Sequence, residues 1–129
     1  MGRADAVFTR GRVAIRGFDP VPYFNEEKPV IGYKNITYKW IGAIWPFSSE
    51  TNRKSFMDHP KKCVPQYGGY GAYAASKGSL APTDPKAWTL YKGKLYLNYS
   101  RSVRDIWSED NDGYISAADE HWTDLKTGG

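Results

Sequence analysis

The alternation of hydrophobic and polar residues predicts two β-hairpins. The first turns at Ile41-Gly42, with strands over residues 36–40 and 43–47. Pairing across this turn places Tyr38 opposite Trp45. It also places Ile36 opposite Phe47, so that one face of the hairpin carries a ladder of aromatic side chains.

The second hairpin turns at Lys92-Gly93. Its pairing places Leu90 against Leu95 and Trp88 against Leu97 on one face. The opposite face is more polar, with Tyr91, Tyr96 and Asn98.

Proline and capping residues predict where strands and helices end. Pro46 has no backbone N–H to donate to a ladder, so it predicts an edge position for its strand. Ser48-Ser49-Glu50 offers a helix N-cap and a first-turn acid, and this helix is expected to run to about Asp58. His59-Pro60 then stops it.

Two further helices are predicted near the end of the chain. Ser102 is the expected cap of the first, and Asp112 is the expected cap of the second. Their apolar faces are formed by Val103, Ile106 and Trp107 in the first and by Ile115, Ala118, Trp122 and Leu125 in the second.

These elements predict an α+β fold, with a small antiparallel sheet built from two hairpins and flanked by three to four short helices. A chain of 129 residues fits one domain. We expect an N-terminal arm over residues 1–11, a single domain over residues 12–125 and a tail over residues 126–129.

Composition adds two constraints. Aromatic residues reach 16% of the chain, with ten Tyr and five Trp, so a core rich in hydrogen-bonded tyrosine is expected. No run of 18 apolar residues exists, so the sequence predicts no membrane span.

The charge distribution is uneven but not that of a nucleic-acid-binding protein. The net charge is +4, with arginines at the start of the chain and acids near its end. Lysines are scattered along the middle rather than arranged as a basic stripe with exposed aromatics. We therefore interpret these residues as solvated surface charge and predict no nucleic-acid partner.

The segment over residues 65–76 combines glycines with Tyr67, Tyr70 and Tyr73. Glycine allows close backbone approach, and tyrosine at every third position brings three hydroxyls into one short stretch. The segment therefore fits either a pocket lining or a tightly packed turn and helix whose tyrosines bond within the core.

Four separated blocks of the sequence carry a family resemblance: residues 18–24, 45–53, 65–70 and 93–99. In this order they resemble the stand-alone YHS-domain proteins of bacteria. The resemblance covers about Val13 to Trp122. It implies a treble-clef-like fold related to small modules to which metal binding, of copper in particular, is ascribed. It also implies a periplasmic or secreted protein, since members of the family are often exported.

The chain departs from this family at the positions where relatives carry metal ligands. Phe47-Ser48-Ser49 stands where metal-binding relatives have cysteine, and Asn52 stands where many have histidine. Gly71 replaces the cysteine of a Gly-Gly-Tyr-Cys segment. Soft metals prefer thiolate, thioether or imidazole, so the resemblance implies a module that has lost its usual ligands.

Copper or zinc binding through other residues is an alternative. His59 and Cys63 lie four residues apart, with Met57 nearby as a soft third ligand. An interface between two chains could also complete such a site. Pro60 lies between the two residues and disfavours a continuous helix that presents both. A helix-end histidine and a small buried cysteine are the competing interpretation.

The function predicted from the sequence is a non-catalytic binding or accessory domain. No nucleophile-elbow motif is present, so we predict no enzymatic activity. A pocket for a small ligand is predicted from eight residues: Asp19, Tyr23, Tyr67, Tyr70, Tyr73, Tyr96, Asn98 and Tyr99. A protein-interaction module that uses an aromatic face is the second alternative.

Overall fold

A computed structural model describes residues 6–127 of the chain, with side chains through residue 125. The strands are β1 (Thr9–Arg10), β2 (Val13–Ala14), β3 (Phe18–Asp19), β4 (Val30–Ile31), β5 (Tyr33–Trp40), β6 (Ala43–Phe47), β7 (Asp84–Tyr91) and β8 (Lys94–Asn98). The α-helices are α1 (Pro22–Asn25), α2 (Glu50–Asp58), α3 (Pro60–Cys63), α4 (Ala72–Ser76), α5 (Arg101–Ser108) and α6 (Asn111–Thr127). Short 3-10 turns lie at Ile15–Gly17 and Gln66–Gly69.

The strands form three small sheets, which confirms the predicted α+β class. The largest has the order β1-β2-β6-β5, while β3 pairs with β4 and β7 pairs with β8. The two predicted hairpins therefore belong to different sheets rather than to one. The largest sheet also contains a parallel pairing, between β2 and β6. None of the helices in the described part of the chain has the length and apolar character needed to cross a membrane.

The first hairpin forms with one correction to its register. Tyr38 lies opposite Trp45, as predicted. The predicted pairing of Ile36 with Phe47 is wrong, because Phe47 pairs with Tyr33. The ladder shifts its register within β5, between Tyr33 and the next paired residue, and this irregularity moves the partner of Phe47.

Pro46 does not lie on an edge strand, which corrects the second expectation for this hairpin. Its strand, β6, lies between β2 and β5. However, β2 pairs with β6 only through Val13 and Ile44. The ladder on that side has ended before Pro46, so the missing N–H removes no bond there.

The second hairpin has the predicted register. Leu90 pairs with Leu95, and Trp88 pairs with Leu97. Its first strand begins at Asp84, four residues earlier than Trp88, and the register shifts between these two residues.

Helix caps agree with the sequence in α2 and differ in α5. The hydroxyl of Ser49 accepts a hydrogen bond from the N–H of Asn52 and caps α2, as predicted. In α5 the cap is Ser100, whose hydroxyl accepts from the N–H of Val103 at 3.2 Å, and not Ser102. Ser102 lies inside the first turn of this helix, where its hydroxyl cannot serve as the N-cap.

The predicted cap of α6 is also corrected. Asp110 precedes this helix, and its carboxylate accepts a hydrogen bond from the N–H of Gly113 at 3.2 Å. Asp112 instead accepts from the hydroxyl of Tyr91 at 2.8 Å and lies 3.5 Å from the ammonium of Lys92. The acid at position 112 therefore joins α6 to the second hairpin.

Two hydrophobic clusters lie on either side of the β7–β8 hairpin. The first cluster contains the buried residues Val7, Ala14, Ile15, Val21, Tyr23, Ala43, Trp45, Phe47, Phe56, Leu95 and Leu97. The second cluster contains Tyr67, Ala72, Ala75, Tyr96, Trp107 and Ala118. The predicted apolar faces of α5 and α6 contribute to the second cluster through Trp107, Ala118 and the residues around them.

The described part of the predicted N-terminal arm packs onto the domain. Val7 is buried in the first cluster, and the N–H of Phe8 donates to the carbonyl of Gly68 at 2.9 Å. Gly68 has a positive φ, and a side chain there would collide with the backbone of Ala6. Residues 1–5 of the arm and residues 128–129 of the predicted tail lie outside the described residues.

Candidate functional site

Val21, Ser48 and Asn52 converge on Asp19. This residue ends β3 and is fully buried. Its Oδ1 accepts a hydrogen bond from the N–H of Val21 at 2.9 Å. Its Oδ2 accepts from the N–H of Ser48 at 2.7 Å, the hydroxyl of Ser48 at 2.9 Å and the side-chain amide of Asn52 at 2.9 Å. We call this set the Asp19 network.

The start of α2 explains why a carboxylate can be buried here. Ser48 and Asn52 flank the first turn of this helix, where backbone N–H groups and the helix dipole favour negative charge. In residues 6–125 no ion pair to Asp19 is formed, so these donors replace the water that the carboxylate loses. The network therefore fastens β3 to the N-terminus of α2.

The network does not fit a soft metal. Asn52 directs its N–H₂ group at the carboxylate, and Ser48 donates its hydroxyl proton to the same oxygen. Neither residue offers the thiolate or imidazole that copper and zinc prefer. Within the described residues, no three His, Cys, Asp or Glu side chains are grouped so that they could hold a metal ion.

Cys63 lies near this network, at the end of α3, and packs against the first cluster. Burial raises the pKa of its thiol, and the negative charge of Asp19 raises it further. His59, its predicted partner in a metal site, is exposed at the junction of α2 and α3. Met57 is also exposed. A protonated thiol is a weak ligand and a weak nucleophile.

Of the eight residues predicted to line a pocket, Asp19 and Tyr23 lie with the first cluster. Tyr23 is fully buried, and its hydroxyl donates to the carbonyl of Pro85 at 2.6 Å. Its ring lies 5.7 Å from that of Trp88. The hydroxyl of Tyr23 is thus used within the fold.

Four of the eight lie with or beside the second cluster. Tyr67 is buried, and its hydroxyl donates to Asp119 at 2.9 Å. The ring of Tyr96 lies 6.1 Å from that of Tyr67. Asn98 accepts from the N–H of Tyr73 at 2.9 Å, which ties β8 to α4.

The remaining two lie at the edge of these clusters. Tyr70 contacts the rings of Phe8 and Trp122 at 5.6 and 6.0 Å. Tyr99 is 60% exposed and lies beside Arg16 and Asp84. The structure therefore distributes the eight residues over two clusters and the surface, and does not bring them together around one cavity.

The largest sheet carries an open cavity of about 580 Å³ on the face opposite the first cluster. Trp45 points into that cluster, so its neighbours Ile44 and Pro46 point the other way. The floor of the cavity is apolar and consists of Val13, Ile31, Ile44 and Pro46. The rim is cationic and consists of Arg10, Arg16 and Lys34. We call this site the outer-face cavity.

The two arginines of the rim are held in place by Phe8 and Thr83. The guanidinium carbons of Arg10 and Arg16 lie 5.8 and 5.9 Å from the centre of the Phe8 ring, within cation–π range. The Nε of Arg16 also donates to the carbonyl of Thr83 at 2.8 Å. Both side chains are thereby oriented at the mouth of the cavity.

Comparison of the chain with protein families, curated proteins and solved structures gives no match.

Sequence reasoning did not find the outer-face cavity. Its residues come from five strands, from the turn after β2 and from the junction between β4 and β5. Arg10 and Arg16 were interpreted only as solvated surface charge. The available signal was the group of four arginines within the first 16 residues, but the sequence did not show which strands would lie beside it.

Proposed function

We propose that this chain is a non-catalytic binding domain of the YHS type, in which positions used for metal by related proteins have become part of the fold. One observation carries the proposal. Ser48 and Asn52 stand at two of the positions where the resembled proteins have cysteine and histidine. Both side chains donate hydrogen bonds to the buried carboxylate of Asp19. A metal there would have to displace bonds that satisfy a buried charge.

The surroundings of Cys63 support a role without catalysis. A catalytic cysteine requires a lowered pKa and a base within hydrogen-bond reach. Burial and Asp19 act in the opposite direction on this thiol. A cysteine that packs against apolar residues as a neutral thiol serves as a small hydrophobe.

The family resemblance supports a location outside the cytoplasm, periplasmic or secreted. Location does not affect the test of metal binding, which uses the purified chain.

Metal titration tests the proposal directly. The metal-free protein is titrated with Cu(I), Cu(II) and Zn(II), and both its thermal midpoint and the stoichiometry of binding are followed. A ligand at one hundred times its Kd stabilises the native state by about 2.7 kcal/mol. We expect no shift of this kind for any of the three ions.

Three variants identify the site if a metal does bind. Cys63→Ser and His59→Ala remove the two alternative ligands, and His121→Ala is the matched control at the other, also exposed, histidine. Stoichiometric stabilisation that is lost in the first two variants and kept in the third would overturn the proposal. It would instead establish a copper or zinc protein that uses Cys63 and His59.

A further inference from the structure

We propose that the outer-face cavity binds a small amphipathic carboxylate, with its acid group on the cationic rim and its hydrocarbon tail on the apolar floor. This inference rests on the proposed function as a binding domain, and it names the ligand class. The cavity volume of about 580 Å³ lies within the range of about 300 to 1,000 Å³ that is usual for small-molecule sites.

The rim brings three cations together at a cavity whose lining contains no acid, although Asp84 lies beside Arg16 outside that lining. Lys28, Arg53, Lys92 and Arg104 each have an aspartate or glutamate oxygen within 3.5 Å. Across residues 6–125, Arg10, Arg16 and Lys34 form no ion pair, and the cavity is lined by no aspartate or glutamate. Three cations at one mouth repel one another, and an anion bound between them relieves that repulsion.

The two arginines of the rim are already oriented in a way that favours binding of a carboxylate. Contact with Phe8 orients both guanidinium groups, so less side-chain entropy is lost when they bind. The bond from Arg16 to Thr83 uses Nε only. Its terminal nitrogens remain for the paired N–H···O bonds that arginine makes with a carboxylate.

The floor of the cavity suits a hydrocarbon tail. Ile31 is 64% exposed, and it faces the same space as Val13 and Ile44. Gly17 and Gly32 add no side chains, and Pro46 has no N–H, so few polar groups compete for this surface. Covering the exposed aliphatic carbons with a tail removes apolar area from water, at about 25 cal/mol per Å².

Three probes with the same eight-carbon tail separate charge from hydrophobicity. Octanoate, octan-1-ol and octyltrimethylammonium are titrated into the full chain by isothermal calorimetry, each below its aggregation concentration. We expect octanoate to bind with one-to-one stoichiometry, octanol to bind at least tenfold more weakly and the cation not to bind. Raising the salt concentration is expected to weaken octanoate binding, because the rim is exposed to solvent.

Matched variants locate the site. Lys34→Glu reverses one charge of the rim, and Lys54→Glu reverses an exposed lysine on α2, which packs on the other face of the sheet. We expect the first to weaken octanoate binding at least tenfold and the second to leave it within twofold. Thr37→Trp fills the cavity from the edge strand β5 and should abolish binding while the rim stays intact. Far-ultraviolet circular dichroism checks that each variant is folded.

Several outcomes would overturn this inference: no octanoate binding, equal binding of octanoate and octanol, or equal losses in Lys34→Glu and Lys54→Glu. None of these outcomes affects the metal titration, which tests the proposed function at Cys63 and His59. A chain that binds neither metal nor octanoate would leave the proposed function standing without its ligand class. A chain that binds metal at Cys63 would refute the proposed function whatever octanoate does.

Discussion

At the scale of single residues, Asp19 is a fully buried acid with both oxygens hydrogen-bonded. Four donors from Val21, Ser48 and Asn52 surround its two oxygens. A carboxylate only accepts hydrogen bonds, so every one of these contacts is favourable in the folded protein. The same arrangement leaves no room for a side chain that donates.

Replacing this carboxylate is expected to be costly. In Asp19→Asn the new N–H₂ group would face the N–H or hydroxyl donors that now bind oxygen, and at least one buried donor would lose its acceptor. We expect the free energy of unfolding to fall by about 3 kcal/mol, since bonds to a charged group contribute about 1.5 to 3 kcal/mol each. Urea denaturation followed by circular dichroism measures the change.

The control for this prediction is Asp58→Asn, at an exposed aspartate of α2. It makes the same chemical change where no buried donors point at the carboxylate, and it should change the free energy of unfolding by less than about 0.5 kcal/mol. Similar losses in the two variants would show that the Asp19 network does not stabilise the fold.

The sequence indicated Asp19 as a binding residue but could not indicate its partners. Ser48 and Asn52 lie 29 and 33 residues away along the chain. Their contact with Asp19 depends on where β3 ends relative to α2. Tertiary packing determines how far β3 lies from α2, and a local sequence pattern gives no information about that packing.

At the scale of elements, the sequence correctly predicted the two hairpins, because their turns and strand alternation depend on residues close together in the chain. The turns Ile41-Gly42 and Lys92-Gly93 have the positive φ angles of tight hairpin loops, and both hairpins formed where the alternation placed them. The register shift after Tyr33 and the inner position of Pro46 depend on β2 and on the neighbouring sheet. These features could not be derived from the hairpin itself.

The outer-face cavity illustrates the same limit. Its walls include β1, β2 and β4, each only two residues long. Alternation needs about four residues to be recognised, so strands of this length give no signal of their own. The cavity exists because such short strands are brought beside β5 and β6 by the rest of the fold.

The cap of α5 provides a prediction at this scale. Ser100 accepts the N–H of Val103, whereas Ser102 is an exposed residue inside the first turn. We expect Ser100→Ala to lower the free energy of unfolding by about 1 kcal/mol, the usual contribution of an N-cap. Ser102→Ala should change it by only a few tenths, since alanine is also the better helix former.

Thermal denaturation of the two alanine variants beside the parent chain makes this comparison. A larger loss in Ser102→Ala than in Ser100→Ala would mean that the cap is the residue that the sequence first indicated. Their hydroxyls lie 3.0 Å apart, so the double variant shows whether the two residues act together.

At the scale of the whole molecule, the two hydrophobic clusters share one strand. In β8, Leu95 and Leu97 point into the first cluster and Tyr96 points into the second. The clusters are therefore connected through consecutive residues of a single backbone segment. We expect them to unfold in one cooperative transition.

Buried tyrosines in both clusters make this transition sensitive to alkali. Burial, with the charge of Asp84, raises the pKa of Tyr23, and burial together with the bond to Asp119 raises the pKa of Tyr67. In the unfolded chain both ionise near pH 10. The native state holds these protons longer, so their stabilisation is complete below pH 10 and is lost as the pH rises above it.

The expected loss is about 1.4 kcal/mol per pH unit for each of the two tyrosines, between pH 10 and the raised pKa values. Tyr23→Phe and Tyr67→Phe should each reduce the slope of unfolding free energy against pH by this amount. Urea midpoints measured from pH 8 to pH 11 give the slope, and tyrosinate absorbance at 295 nm follows ionisation.

The exposed Tyr33 provides the matched control, because Tyr33→Phe removes a hydroxyl that is 60% exposed. It should leave the slope unchanged. A slope that stays the same in Tyr23→Phe and Tyr67→Phe, or two separate alkaline transitions, would contradict the description of one cooperative unit with buried phenols.

The position of β8 in the chain also affects how the protein is made. The first cluster is complete only when Leu95 and Leu97 of β8 have left the ribosome, and the second still needs Trp107 of α5 and Ala118 of α6. The nascent chain therefore exposes apolar and aromatic side chains until most of it has been made. A chain truncated before β8 would lack residues of both clusters. We expect it to expose apolar side chains and aggregate rather than to form a smaller folded domain.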